Sequence, residues 1–342
     1  MTNHHHDVAP LKTVRVSAPA RLHLGFLDLN GKSGRKFGSI GVAISTFKTT
    51  IEAHVAENIS IVGIEASSQQ CKKILSLVER FYNTLGKSIP ENKRGVKLDV
   101  QASIPQHAGF GSGTQLALTV GKILSQLYGF DYSAQEIAAQ LGRGKRSGIG
   151  IASFENGQFI VDGGLGPDTA VPPVLFQQEF PTEWRIVLIM PAMAEGVHGQ
   201  QEAIAFETLP AFPPESVQTI CQLTLMQLLP ALLEEDIDRF GKAITHIQAL
   251  IGDHFSPTQG GRYSSSVVAE LIEKIQQHGY TGIAQSSWGP TACVFVNSDT
   301  KAKELVILLN NLAVSLFGQD HSLTFIVAQA NQCGATIEIK TI

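Results

Sequence analysis

Apolar and polar residues follow one another in two rhythms along this chain, and each change of rhythm marks an element. Residues 13–17 alternate with period two and read as a strand; Ala18-Pro19-Ala20 interrupts it and 21–29 resumes the pattern. Leu22, Leu24 and Phe26 fall on one face, and Arg21, His23, Gly25 and Leu27 on the other. Asn30-Gly31 signals a turn, and 38–47, 49–55 and 59–64 read as further strands of an antiparallel sheet. Residues 69–85 change to helical spacing, with Ile74, Leu77, Val78, Phe81 and Leu85 on one stripe and Gly86 ending it. A strand over 95–103 leads to a glycine-rich bend, after which Leu116, Val120, Ile123, Leu124 and Leu127 line a helix starting near Thr114. Ser133-Ala134-Gln135-Glu136 is a capping box for a short helix that Gly142 ends. Residues 159–164 read as a strand running into a turn.

The proline-bearing stretch 166–181 reads as a linker between two domains, 13–170 and 182–342. Beyond it, 184–190 is almost wholly apolar and predicts a buried strand. Helices are expected over 199–208, 215–233, 235–250, 264–278 and 301–316, with Pro230 kinking or ending the second. Strands are expected over 281–285, 291–296, 323–328 and 336–340. No regular βαβ rhythm appears and hairpin signals are frequent, so the chain reads as α+β in two lobes.

Composition narrows the functional classes. With 342 residues the chain is long enough for two cores; 43% are apolar, 16% are charged, and the formal net charge is −4. That balance gives no electrostatic case for nucleic acid or an anionic membrane as partner. No uninterrupted apolar run approaches the ~20 residues that span a bilayer, and no secretory signal opens the sequence. His4-His5-His6 reads as a frayed terminus or an expression remnant, outside any site. Cys71, Cys221, Cys293 and Cys333 are scattered with no C-x-x-C pair, which argues against structural zinc or a disulfide framework and suits a reducing cytoplasm.

The chemistry gathers at Ile104-Pro105-Gln106-His107-Ala108-Gly109-Phe110-Gly111-Ser112-Gly113-Thr114-Gln115. Three glycines at alternate positions let the backbone bring its N–H groups close to a ligand, and the following helix adds free N–H groups and its positive dipole end. Such a bend holds phosphate. Its spacing is neither the Walker A pattern nor the dinucleotide fingerprint. A second glycine-rich stretch, Gly142-Arg143-Gly144-Lys145-Arg146-Ser147-Gly148-Ile149-Gly150, carries three cations. No Ser-His-Asp order, H-E-x-x-H or paired-carboxylate pattern supports hydrolase chemistry.

At the first bend the sequence resembles the GHMP superfamily of galactose, homoserine, mevalonate and phosphomevalonate kinases. Pro105 and Gly109-Phe110-Gly111-Ser112 fit its phosphate loop, but Gly113 and Thr114 replace the usual Ser-Ala, and that serine helps hold magnesium in the kinases. Four ordered segments resemble a particular branch, the β-ribofuranosylaminobenzene 5′-phosphate synthase family: 21–28, 109–116, 142–150 and 285–290. The resemblance implies an α+β GHMP fold, with a ribosomal S5 domain 2-like N-terminal lobe and a ferredoxin-like C-terminal lobe, in a cytoplasmic homodimer. It implies a decarboxylating transfer of ribose phosphate from phosphoribosyl pyrophosphate to 4-aminobenzoate or 4-hydroxybenzoate, in methanopterin biosynthesis. An ATP-dependent kinase, or a non-catalytic ligand-binding protein of the same fold, is the alternative.

Weighed against that reaction, Gly109, Gly111, Ser112, Gly113 and Thr114 are expected to hold one phosphate group, Thr114 serving equally as an N-cap. Arg143, Lys145 and Arg146, with Ser147, are expected at phosphate as well, unless the cations only complement a helix dipole. Magnesium is expected to ride mainly on the pyrophosphate, with Asp28 and Asp162 as candidate ligands or, for Asp162, a solvated turn aspartate. Arg21 is a candidate anion contact and His23 a polar neighbour, against a surface arginine and an ordinary hydrogen-bonded histidine. Ser286, Ser287 and Trp288 suit a ring or a phosphate, Trp288 serving equally as packing. Glu195, His198 and Glu202 are secondary candidates near the lobe junction.

Overall fold

The computed structural model describes residues 12–192 and 209–341. Its first sheet is built on two long strands, β1 (Lys12–Asp28) and β2 (Phe37–Val55), paired antiparallel. Pro19 does not break β1, contrary to the pattern. The outer neighbour of β1 reaches only to Ser17, and the pairing with β2 shifts register between Pro19 and Ala20. Proline is tolerated at such an irregular, partly unpaired position. The odd positions Arg21 and His23 thus stay on one strand, two residues apart.

The sheet runs β11-β1-β2-β4-β3, where β3 is Ser60–Val62, β4 is Val96–Ala102 and β11 is Thr336–Thr341. β3 lies parallel to β4, not antiparallel as expected. β5 (Phe159–Asp162) pairs with β2, and β6 (Val174–Gln178) with β5. The stretch expected to be a linker therefore contains an edge strand of the first lobe. β11, expected in the second lobe, returns to the first. Local periodicity identifies a strand without saying which sheet it joins.

Four helices pack on this sheet: α1 (Gln69–Asn83), α2 (Ser112–Leu127), α3 (Ala134–Gln140) and α4 (Ile149–Asn156). Val14, Val16, Ile51 and Leu98 of the sheet meet Phe81, Val120 and Ile123 in one buried cluster. α3 carries both halves of the expected capping box. α4 is unforeseen, because the glycines ahead of it mask a short helical run.

The second lobe is a four-stranded antiparallel sheet, β10-β7-β9-β8, formed by β7 (Arg185–Pro191), β8 (Ile283–Gln285), β9 (Ala292–Val296) and β10 (Leu323–Ala328). α5 (Pro214–Leu233) and α6 (Ile237–Gln259) precede β8; α7 (Ser266–Gln277) and α8 (Asp299–Phe317) share a core with the sheet. The kink expected at Pro230 is absorbed by a π-helical turn, Thr224–Leu228, just before it. α5 is the one described helix long and apolar enough to cross a membrane, yet Ile220, Leu228 and Leu232 are buried between the lobes. There Leu22, Leu24 and Phe26 of β1 pack with Trp184, Phe240 and Phe295. The expected helix over 199–208, with Glu195, His198 and Glu202, lies outside the described residues, as do the three opening histidines.

Candidate active site

The bend between β4 and α2 is anchored by buried Ile104 and Phe110. His107, Gly109 and Gly111 take positive φ of 58°, 92° and 75°. Gly109 is required twice over: its backbone is left-handed, and a Cβ there would lie 2.4 Å from the Ser286 carbonyl oxygen. Gly111 is the N-cap of α2, which starts at Ser112 instead of near Thr114. Thr114 is accordingly no N-cap, and no side chain among the described residues caps the helix. The Thr114 N–H donates to the Gly111 carbonyl at 3.1 Å, so among the described residues it is the Ser112 and Gly113 N–H groups that are left for whatever enters the space beside them.

Three segments are stitched together around this bend. Arg21 Nη1 and Ser286 Oγ both donate to the Gly109 carbonyl, at 2.6 and 2.8 Å. The His23 N–H donates to Ser286 Oγ at 3.0 Å, and the Ser287 N–H to the His23 carbonyl at 2.9 Å. Gly289 sits so close to the bend that a Cβ would fall 2.5 Å from the Gly109 Cα. The β8–β9 turn of one lobe is thereby pinned to β1 and the glycine bend of the other.

Between them opens a cleft of about 480 Å³, a volume suited to a small molecule. Arg21, Lys73 and Arg143 line it together with the bend, and no carboxylate does among the described residues. Arg143 is pulled below the usual guanidinium range by burial and then by the neighbouring Arg80 charge, and its Nε has no hydrogen-bond partner among the described residues. Lys73 Nζ donates to Gln106 Oε1 at 3.0 Å, which steers it to the cleft. A buried cation without a counter-charge is costly, so an entering anion gains from this arrangement.

The expected residues divide. Gly109, Gly111, Ser112, Gly113, Thr114, Arg21, Arg143, Ser287 and Trp288 border the cleft. Ser286 does not; it is wholly buried and acts as the staple just described. Lys145 is exposed elsewhere, and neither Arg146 nor Ser147 reaches the cleft. Ser147 Oγ instead donates to Asp162 and accepts the Ile149 N–H. The two candidate metal ligands are also elsewhere. Asp162 is fully buried and accepts the N–H groups of Gly148 and Gly164, each at 2.9 Å, so it is not a solvated turn aspartate. Burial raises its pKa against those hydrogen bonds. Asp28 accepts the N–H groups of Asn30 and Gly31 and closes the β1–β2 turn. No group of three His, Cys, Asp or Glu placed to hold a metal exists among the described residues.

Lys73 and His107 line the cleft without having been singled out. On sequence Lys73 resembles any solvated helix lysine. His107 lay inside the bend, where the one available signal was its place between Pro105 and the glycines.

His23 departs from the ordinary hydrogen-bonded histidine. It is 3% exposed, and neither ring nitrogen has a hydrogen-bond partner among the described residues. Burial, then the Arg21 charge, lower its pKa to about 3. Its ring packs on Phe26 with centroids 4.6 Å apart. It lines a narrow crevice of about 20 Å³ that shares Ser287 and Trp288 with the cleft. Trp288 is held by Phe255, ring centroids 4.6 Å apart, so it packs and borders both spaces.

Comparison with known proteins agrees with this two-lobed fold. Residues 72–158 match the GHMP kinases N terminal domain and 228–306 the GHMP kinases C terminal family. The beta-ribofuranosylphenol 5'-phosphate synthase of Methanocaldococcus jannaschii is 34% identical, covering 94% of this chain and 99% of that protein. Its namesake from Archaeoglobus fulgidus is 32% identical, over 95% and 100%. Among solved structures, a homoserine kinase from Cytophaga hutchinsonii superposes with a TM-score of 0.66 at 15% identity, covering 99% of each chain. Mevalonate diphosphate decarboxylase from Staphylococcus aureus gives 0.66 at 16%, covering 96% and 98%. These last two establish a shared fold.

Proposed function

Since the chain belongs to the beta-ribofuranosylphenol 5'-phosphate synthase family, with the two-lobed α+β GHMP fold, we propose that it is a decarboxylating C-ribosyltransferase of methanopterin biosynthesis. Its donor is phosphoribosyl pyrophosphate and its acceptor a 4-substituted benzoate, with carbon dioxide and pyrophosphate released. The relatives' name, a ribosylated phenol, favours 4-hydroxybenzoate over 4-aminobenzoate. The observation that carries the reading is the cleft itself: three cations and an uncapped helix start, with no carboxylate lining it among the described residues.

In this reading the pyrophosphate lies against the Ser112 and Gly113 N–H groups and the Arg143 guanidinium. As its bond to the anomeric carbon breaks, negative charge grows on the leaving oxygens, and fixed donors already aimed there stabilise it without reorganising. Arg21 and Lys73 take the remaining phosphate or the ring carboxylate. Trp288 presents an aromatic wall along which the acceptor lies, its carboxyl-bearing carbon toward the anomeric carbon. Holding both reactants in one orientation supplies much of the rate. Magnesium would arrive with the donor, held mainly by its pyrophosphate, because the described lining offers it no carboxylate, and it would neutralise part of the leaving group's charge. Four free cysteines support a reducing cytoplasm as the setting. Leu225, Met226 and Leu233, exposed on α5, support a homodimer.

The test is to incubate the protein with phosphoribosyl pyrophosphate, magnesium and carboxyl-labelled 4-hydroxybenzoate or 4-aminobenzoate. Labelled carbon dioxide in step with pyrophosphate is expected. ATP consumption by an alcohol acceptor, with no carbon dioxide from either acid, would overturn the reading in favour of a kinase.

A further inference from the structure

Resting on that reading, we infer that the crevice beside Trp288 receives the para hydroxyl of the acceptor and that His23 takes its proton during ring attack. The first ground is the imidazole. Buried polar atoms in folded proteins almost always have partners. A neutral imidazole carries one N–H and one lone-pair nitrogen, and at His23 neither is met by another side chain or backbone group among the described residues. The amide and guanidinium side chains around the crevice are engaged. Gln248 Nε2 donates to the Leu24 carbonyl at 2.6 Å, and its Oε1 accepts the Gln285 N–H at 2.9 Å. Gln285 Nε2 donates to Gln259 Oε1 at 3.2 Å, and Arg262 is forked onto Asp253 at 2.7 and 2.9 Å.

Size is the second ground. About 20 Å³ admits one water-sized group, such as a hydroxyl, and no ring. Position is the third. Ser287 and Trp288 border both spaces, so a substituent can enter the crevice while its ring stays in the cleft. Phe26, Phe255 and Trp288 give the crevice apolar walls. The charged groups nearby are Arg21 on the same strand and the Arg262–Asp253 pair at the end of α6; burial, then Arg21, keeps the imidazole neutral before reaction.

The step balances without a further reactant. The carboxyl-bearing ring carbon bonds to the anomeric carbon, and the anomeric C–O bond breaks with its electron pair leaving on pyrophosphate. Electrons flow from the hydroxyl oxygen into the ring, its proton passes to the lone-pair nitrogen of His23, and a carbonyl remains. Loss of carbon dioxide returns a bonding pair to the ring. The resulting phenolate takes the proton back, and His23 ends as it began. An imidazolium so disfavoured by its surroundings returns that proton readily.

The experiment compares wild type with His23→Phe and His23→Gln. Wild-type release of carbon dioxide is established first, so that failure of the broader reading is seen separately. With 4-hydroxybenzoate, His23→Phe should lose at least about a hundredfold in kcat, the scale of one general base. His23→Gln should regain KM but not kcat. Pyrophosphate affinity should stay unchanged in both, and the ratio of 4-hydroxy- to 4-aminobenzoate turnover should move. An unchanged ratio with wild-type kcat overturns the inference. Should the variants fail to fold, the nitrogen resonances of wild-type His23 decide: 4-hydroxybenzoate must shift them, and benzoate lacking the hydroxyl must not.

Discussion

Two glycine-rich bends in the first lobe lead into helices, and they meet different fates. At 142–150 the chain supplies its own anion: the Asp162 carboxylate takes the Gly148 and Gly164 N–H groups and the Ser147 hydroxyl. At 109–113 no described residue supplies one. Gly111 caps α2 with backbone alone, and Arg21, Lys73 and Arg143 converge on the space left over. Glycines make close approach possible in both places; whether a carboxylate has already arrived decides which one is left to bind a ligand.

Removing the internal anion should break the first bend. Asp162→Ala leaves two N–H groups unanswered in the interior and is expected to cost about 3 kcal/mol of stability, measured by denaturant unfolding. Its kcat/KM per folded molecule should stay within about twofold, since the cleft is untouched. Arg143→Ala should do the opposite. About a hundredfold loss in kcat/KM is expected, the size of one transition-state donor, with unfolding stability unchanged or slightly raised.

Acid probes the neighbourhood from a third direction. His23 titrates near 6.5 when unfolded and near 3 when folded, so the unfolded state binds the extra proton between those values. Stability is therefore complete above pH 6.5 and falls as pH drops toward 3, by about 2 kcal/mol at pH 5. His23→Gln should flatten that slope in pH-dependent melting. The smallest effect is expected from Lys145→Ala with Arg146→Ala. Turnover within about twofold of wild type would confirm that only the first cation of that segment serves the cleft, and a loss as large as that of Arg143→Ala would erase the contrast.

Much of this was legible beforehand. The alternation over 21–28 placed Arg21 and His23 on one face, and the glycine spacing marked the bend that borders the cleft. The capping box at Ser133 and the apolar run at 184–190 gave their elements nearly to the residue. What stayed hidden depends on distant partners. Asp162 looked available until Gly148 and Gly164 were seen to occupy it, and Lys145 and Arg146 looked equivalent to Arg143 until the turn aimed only one of them inward. Lys73 gave no sign, because the glutamine that steers it lies on another segment.

The pairing of β11 with β1 has a consequence for birth of the molecule. A ribosome releases β1 among the first described residues, yet the neighbour for its opening stretch emerges only after the whole second lobe has been made. The strand that carries Arg21 and His23 must wait, half-zipped, until the tail comes back to close its flank.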